Sequence, residues 1–155
     1  MSSAAEARFR VQAPNSSPRA TKVVALDAAS EAVVRRLALG GWEHATFFTA
    51  ASRGEYGDGA LRDLAGTIRS VTDEVDAADL VILIAGPGGL AQAVSLIGQA
   101  CSLRRVMTTG FIVGMTAASE SALSKTLAQL RPWSLMVVIA SSDDYIDDMM
   151  SALRA

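Results

Sequence analysis

A chain of 155 residues has the size of one ordinary domain and can bury a sizeable core. Half of its residues are hydrophobic and 19% are charged, which excludes disorder as the state of most of the chain. Fourteen basic and sixteen acidic side chains give a formal charge of −2, and with 5% aromatic residues and no basic block we expect no nucleic-acid binding.

The first part of the chain, residues 1–21, is rich in Ser, Ala and Pro and is predicted to form an N-terminal arm. The remainder, residues 22–155, is predicted to form a single domain. Within the arm, apolar and polar residues alternate as they do in a β-strand. The alternating residues are Arg8, Phe9, Arg10, Val11, Gln12 and Ala13. Two interpretations stay open: a loose tail, or an edge strand or arm that lies on a partner subunit.

After the arm, strand and helix patterns alternate along the chain. The predicted strands are Lys22–Leu26, Ala45–Thr49, a short one near Leu61–Leu64, Leu80–Ala85, Val106–Val113 and Leu135–Ala140. The predicted helices are Glu31–Leu39, Val71–Ala78, Leu90–Leu103, Ser119–Leu130 and Asp143–Leu153. This alternation with short links is typical of βα units with right-handed crossovers. We therefore expect a three-layer, Rossmann-like α/β domain with a mainly parallel sheet of five to six strands.

Three local patterns support these boundaries. Leu80–Ala85 (LVILIA) contains no polar residue, which predicts a strand buried on both faces, as in a parallel sheet covered by helices. Ser30 is predicted to cap the helix that begins at the next residue. The stretch after residue 60 also fits a helix, but Gly66 interrupts it. Because Ser70 followed by Asp73 resembles a capping box, a strand and then a helix is favoured there.

A ligand site is expected where the strand order of such a sheet reverses, beyond the carboxyl ends of the strands. If the six strands take the common order 3-2-1-4-5-6, this place lies between the loops at 27–30 and 86–89. The second loop, with the next two residues, matches G-x-G-x-x-G/A (GPGGLA), in which glycines admit a ligand to the backbone and the helix N-terminus favours an anion. The alternative is a tight β-to-α turn that needs glycine for geometry only.

The residues expected around this crevice favour different kinds of ligand. Asp27 would face the crevice and repel a phosphate unless a metal intervened, and Pro87 removes one backbone donor. Arg53 is the only cation expected at the carboxyl edge and is a candidate for holding an anionic ligand. Thr116 follows a later strand. The ligand-binding candidates are Asp27, Ser30, Arg53, Gly86, Gly88, Gly89 and Thr116.

The segment from Asp76 to Gly89 (DAADLVILIAGPGG) resembles the fourth strand and glycine loop of the nucleotide-binding domain of the FtsZ/tubulin family. The following helix and the strand that ends in Phe111-Ile112-Val113 continue the resemblance, which elsewhere concerns topology only. The family's GTP-binding loop continues as glycine-threonine-glycine, where this chain has Leu90-Ala91-Gln92. The resemblance implies a relative in fold rather than an active GTPase.

Other residues that could carry chemistry are isolated. His44 and Cys101 are each the only residue of their kind, so no zinc site built from protein ligands alone is expected. Cys101 is interpreted as a small core residue. His44 is expected at the amino end of the sheet, away from Ser30 and Ser142, which argues against a Ser-His-Asp triad.

The last predicted helix begins with an acidic cluster formed by Asp143, Asp144, Asp147 and Asp148. A divalent cation is one interpretation of this cluster. In the favoured interpretation, Ser142 caps the helix, the first two aspartates complement its positive end, and the other two lie on a solvated face.

The predicted helix Leu90–Leu103 carries apolar residues beyond its inward stripe and no charge before Arg104. A helix of this kind is poorly suited to contact with water. It is therefore expected to be covered by a second subunit in a homodimer.

Two functional hypotheses stay open. The first is a non-catalytic, dimeric binding or regulatory domain for a nucleotide or other anionic metabolite. The second is a small transferase or hydrolase that acts on a polar metabolite in the same crevice. Asp27 with Ser30 is the only acid–nucleophile pair there and lacks a third member, so no catalytic residue, cofactor or metal is assigned. The single cysteine, the polar N-terminus and the lack of an apolar run of about 18 residues favour a cytoplasmic location.

Overall fold

The computed structural model describes residues 20–50, 60–87, 92–114, 120–140 and 143–153. Its strands are β1 (Thr21–Ala25), β2 (Ala45–Ala50), β3 (Ala60–Asp63), β4 (Ile68–Ser70), β5 (Leu80–Ala85), β6 (Met107–Ile112) and β7 (Met136–Ile139). Its helices are α1 (Ala28–Ala38), α2 (Val71–Asp76), α3 (Gln92–Arg104), α4 (Glu120–Leu130) and α5 (Asp143–Ala152). The predicted arm up to residue 19 lies outside the described residues, as do four predicted site residues. These four are Arg53, Gly88, Gly89 and Thr116.

The strands form one sheet in the order β4-β3-β2-β1-β5-β6-β7. The central five strands, from β2 to β7 in that order, are parallel, whereas β3 pairs antiparallel with both of its neighbours, β2 and β4. Helices α1 and α5 pack on one face, and α2, α3 and α4 pack on the other. The prediction of a three-layer, Rossmann-like α/β fold is confirmed, with seven strands among the described residues instead of five or six.

The additional strand is β4, which forms a hairpin with β3. In the turn between them, the Asp63 Oδ1 atom accepts hydrogen bonds from the N–H groups of Ala65 at 3.0 Å and Thr67 at 2.8 Å. Ser70 ends β4 and caps α2, because its Oγ atom accepts from the Asp73 N–H at 3.5 Å. The strand near 61–64 and the Ser70 cap are thus confirmed. The three residues of β4 are too few for an alternating pattern to be recognised.

The central strand β5 is hydrogen-bonded to β1 on one side and to β6 on the other. All six of its residues are at most 1% exposed. Leu80, Ile82 and Ile84 belong to the core beneath α1 and α5, whereas the three residues between and after them belong to the core beneath the other helices. Because both faces are buried, the strand has no polar positions. The prediction of a doubly buried strand is confirmed.

Helix α5 packs through the predicted apolar stripe, in which Ile146 is 1% and Met150 0% exposed. One part of its acidic face differs from the prediction. Asp147 was expected on the solvated face, but it is half-buried and forms an ion pair with Arg36 of α1 at 3.3 Å. Asp148 is exposed, as predicted. The helix pattern of α5 alone could not reveal Asp147's partner, because α1 and α5 become neighbours only in the folded sheet.

Four residues of the predicted inward stripe of α3 are buried: Val94, Ile97, Ala100 and Cys101. Ala93 is half-buried, and Leu90 lies outside the described residues. Burial raises the pKa of the Cys101 thiol, which agrees with a core role. On the outer surface of α3, Leu96 is 38% and Leu103 is 82% exposed. The homodimer through this helix stays a prediction. None of the helices in the described ranges has both the length and the apolar character needed to cross a bilayer.

Gly98 of α3 packs directly against Trp133. A Cβ atom at Gly98 would lie 2.6 Å from Cγ and 2.7 Å from Cβ of Trp133, so rotation of the indole could not relieve the contact. Gly98→Ala is expected to lower the free energy of unfolding by about 1–3 kcal/mol through overpacking, although alanine favours a helix by up to about 1 kcal/mol. Urea denaturation measures this loss. Ser102→Ala, exposed on the same helix, is the control with an expected change below about 0.5 kcal/mol. A more stable Gly98→Ala protein would contradict the packing argument.

Candidate functional site

The order of the strands reverses at β1 and β5. From β1 the chain passes through α1 to β2 on one side, and from β5 it passes through α3 to β6 on the other side. Helices α1 and α3 lie on opposite faces of the sheet. In open α/β sheets this arrangement leaves a crevice beyond the carboxyl ends of the two strands. The assumed neighbours of the six predicted strands are confirmed, and the crevice lies between the predicted loops.

Asp27 follows β1 and is the N-cap of α1. Its Oδ1 atom accepts hydrogen bonds from the Ser30 N–H at 2.9 Å and from the Ser30 hydroxyl at 2.8 Å. The Ser30 Oγ atom in turn accepts from the Asp27 N–H at 3.2 Å, which completes a reciprocal capping box. The prediction that Ser30 caps the helix is therefore wrong. Asp is as good an N-cap as Ser, and the helix starts three residues earlier than expected.

The second carboxylate oxygen of Asp27 joins the two loops of the crevice. Oδ2 accepts a hydrogen bond from the Gly86 N–H at 2.8 Å. One carboxylate thus begins α1 and holds the first residue after β5. Since an N-terminal helix end attracts anions, the Asp27 charge already occupies the place at α1 that a phosphate would take.

Gly86 is a glycine because the two loops approach closely. A Cβ atom there would lie 2.8 Å from the Ala29 Cβ, closer than packed carbon atoms tolerate. On its other side, the Gly86 carbonyl accepts a hydrogen bond from the Thr126 hydroxyl of α4 at 3.3 Å. The geometric explanation of glycine therefore holds at this position.

Thr126 was not among the predicted site residues. It is fully buried and also donates to the Ala122 carbonyl at 3.2 Å within its own helix. The available signal was a polar residue in line with the inward-facing Leu123, Leu127 and Leu130 of α4. Its one hydroxyl proton is shared between the Ala122 and Gly86 carbonyls, and the second of these contacts links α4 to the loop after β5.

The described rim of the crevice consists of residues 27–30, 86–87 and 113–114. The Val113 N–H donates to the Ala85 carbonyl at 2.9 Å, which keeps the end of β6 beside β5. Gly114 follows with a φ of +74° and is exposed, and Pro87 is half-buried. The one charge of this described rim belongs to Asp27. Asp27, Ser30 and Gly86 are brought together as predicted, but Ser30 is fully buried and contacts Asp27 rather than the open crevice.

The order of the parallel strands and the crevice define a doubly wound α/β protein. The sequence matches no protein-family model and no curated protein. The structure is similar to the NMR structure of the apo form of the flavoprotein from Lactobacillus acidophilus NCFM. The TM-score is 0.51 at 8% sequence identity, over 84% of this chain and 97% of that chain. At this identity the likeness concerns the fold, and the resemblance to the FtsZ/tubulin family stays a prediction.

Proposed function

We propose that the protein is a binding or regulatory domain for a nucleotide or another anionic metabolite, and that the ligand lies in the crevice between β1 and β5. The observation that carries the proposal is the Asp27 carboxylate, held by Ser30 and Gly86 at the point where the strand order reverses. In the parallel part of the sheet this order corresponds to 2-1-3-4-5, in which flavodoxin-like proteins bind FMN at the same point. The flavoprotein likeness makes FMN the first probe.

The charge of Asp27 determines how such a ligand would be oriented. A carboxylate attracts hydroxyl or ring N–H donors and repels a phosphate at short range. The donor-bearing ribityl or ring part of FMN is therefore expected beside Asp27. The phosphate is expected on the side of the crevice where α3 begins, since that helix starts at the same edge of the sheet.

Catalysis by the Asp27–Ser30 pair is disfavoured by its geometry. The Ser30 hydroxyl is buried and bonded within the capping box, so it is not placed to attack a substrate. The alternative of a small transferase or hydrolase would need its reactive group from elsewhere at the crevice. Steady turnover of a polar metabolite in the same crevice would favour that alternative.

The ligand hypothesis is tested by calorimetric titration with FMN, riboflavin, GTP, NAD and coenzyme A. FMN is expected to bind more tightly than riboflavin because the phosphate contributes. Asp27→Asn is expected to weaken FMN binding by about ten- to a hundredfold, the range for a hydrogen bond to a charged group. Asp79→Asn is the matched control, because Asp79 accepts the Ala20 N–H at 3.0 Å but at the amino edge of the sheet. Absence of binding by every probe would contradict the proposal, and tighter FMN binding by Asp27→Asn would contradict the orientation.

The dimer is proposed to use the outer surface of α3. Replacing both exposed leucines, Leu96 and Leu103, with lysine is expected to give a monomer, because like charges would meet across a twofold interface. Leu39→Lys is the control, since Leu39 is 87% exposed at the end of α1. Sedimentation velocity measures the oligomeric state. A wild-type protein that is monomeric at micromolar concentration would contradict the dimer.

A further inference from the structure

The two edges of the sheet differ in their chemistry. At one edge, β4 exposes Arg69 and Ser70. At the other, β7 carries no charged residue and no proline, and Leu135, Met136 and Ile139 around it are 78%, 40% and 43% exposed. Natural sheets protect their edges with charges, prolines, bulges or a covering segment. Because β7 has no charge and no proline, and pairs with β6 in a continuous register without a bulge, a covering segment is the device that remains for it.

The chain that precedes β1 lies at the amino ends of the parallel strands, and from there it can supply a segment that covers β7. The Ala20 N–H donates to the Asp79 side chain, and the Ala20 carbonyl accepts from the Asp79 N–H at 2.8 Å, so Ala20 lies at the amino end of β5. A strand added beside β7 would lie four strand spacings from β1, about 19 Å. The seven residue steps from position 20 back to position 13 span up to about 24 Å when extended. The alternating segment Arg8–Ala13 can therefore reach β7.

Distance does not decide between the two edge strands, because β4 lies as far from β1 as β7 does. The charges at the two edges therefore decide which strand the segment joins. The segment carries Arg8 and Arg10, whereas the cation of the β4 edge, Arg69, already pairs with Asp63 at 3.5 Å. Two acids of the following helix α2, Glu74 and Asp76, already pair with Lys22 and Arg104. Helix α5 follows β7 and contains four aspartates and no Lys or Arg, and its Asp144 and Asp148 are exposed. The complementary charges favour the β7 edge.

A surface groove of about 410 Å³ lies on the path to β7, at the amino ends of β6 and β7. Its apolar lining includes Met107, Trp133 and Leu135. The Ser134 Oγ atom in the groove is buried, and no described group hydrogen-bonds to it. A backbone crossing this groove would bring a hydrogen-bond partner to that hydroxyl and cover the apolar lining.

We propose that residues 8–13 pair with β7 of the same molecule as an antiparallel eighth strand. The direction follows from the connection, since residue 13 must lie at the amino edge to lead into Ala20. Alternation puts Phe9, Val11 and Ala13 on one face and the arginines on the other. With the arginines towards the aspartates of α5, the apolar residues lie on the face of α4, where Val137 of β7 packs. The segment thereby protects the only uncharged edge of the described sheet.

Hydrogen exchange of the full chain tests this pairing, read by mass spectrometry on peptides that cover β7 and β5. In the wild type, β7 is expected to be protected. Val11→Pro removes a backbone donor and is expected to accelerate β7 exchange by roughly tenfold or more, while β5 exchange is unchanged. Ser16→Pro is the matched control outside the pairing segment and is expected to leave β7 protected.

Three results would overturn the proposal. An unprotected β7 in the wild type would mean that nothing covers the edge. Equal protection in the wild type and Val11→Pro would mean that another segment covers it. Protection that is lost on dilution would assign the edge to a second copy of the chain.

Discussion

Ile82→Ala is expected to lower the free energy of unfolding by about 2–5 kcal/mol, the usual cost of truncating a fully buried Ile. Ile82 is 0% exposed in β5, with β1 and β6 on either side and the core of α1 and α5 above it. Close-packed strands and helices surround the position, so the cavity cannot collapse fully. The loss therefore includes a cavity contribution as well as the lost transfer free energy.

Urea denaturation followed by far-ultraviolet circular dichroism measures this loss. Ile68→Ala is the matched control, because it makes the same change at a half-exposed position of the edge strand β4. Its expected cost is below about 1 kcal/mol. Equal losses in the two variants would contradict the central position of β5.

Asp27→Ala is expected to lower the free energy of unfolding by about 1.5–5 kcal/mol for two separate reasons. Loss of the N-cap of α1 costs about 0.5–2 kcal/mol. The Gly86 N–H, buried against Ala29, also loses its acceptor, which costs about 1–3 kcal/mol. The variant is expected to loosen the crevice as well as to destabilise the protein.

The same denaturation experiment measures this second prediction. Asp27→Asn keeps one acceptor oxygen, so its free energy of unfolding is expected to lie between those of the wild type and Asp27→Ala. Asp79→Ala removes an exposed carboxylate that accepts one backbone N–H, and its expected cost is below about 1 kcal/mol. If Asp27→Ala destabilised the protein no more than Asp79→Ala, the hydrogen bond from Gly86 to Asp27 would contribute nothing measurable to stability.

The layers of the fold could be predicted because their signals are local. Leu80–Ala85 is apolar at every position, which indicates burial on both faces before any neighbour is known. The helix ends could be predicted less well. Asp27 and Ser30 are both good N-cap residues, so the sequence pattern alone allowed α1 to begin at either, and the reciprocal box in the structure identifies Asp27.

The contacts that build the site could not be predicted, because they join distant parts of the chain. Gly86 meets Ala29 and accepts from Thr126 only once α1 and α4 lie on opposite faces of the sheet. A glycine that serves ligand approach and one that serves loop packing have the same sequence pattern. Likewise, Asp147 looks solvated until α1 brings Arg36 beside it.

The proposed ligand lies at the carboxyl ends of β1 and β5. The most direct measurement is an amide NMR titration of the full chain with FMN. The amide signals of Ser30, Gly86 and Gly114 are expected to shift together with one dissociation constant. Shifts confined to the amino ends of the parallel strands, at Ser102, Thr108 and Leu135, would contradict this position of the ligand. An unchanged spectrum at millimolar FMN would contradict it as well.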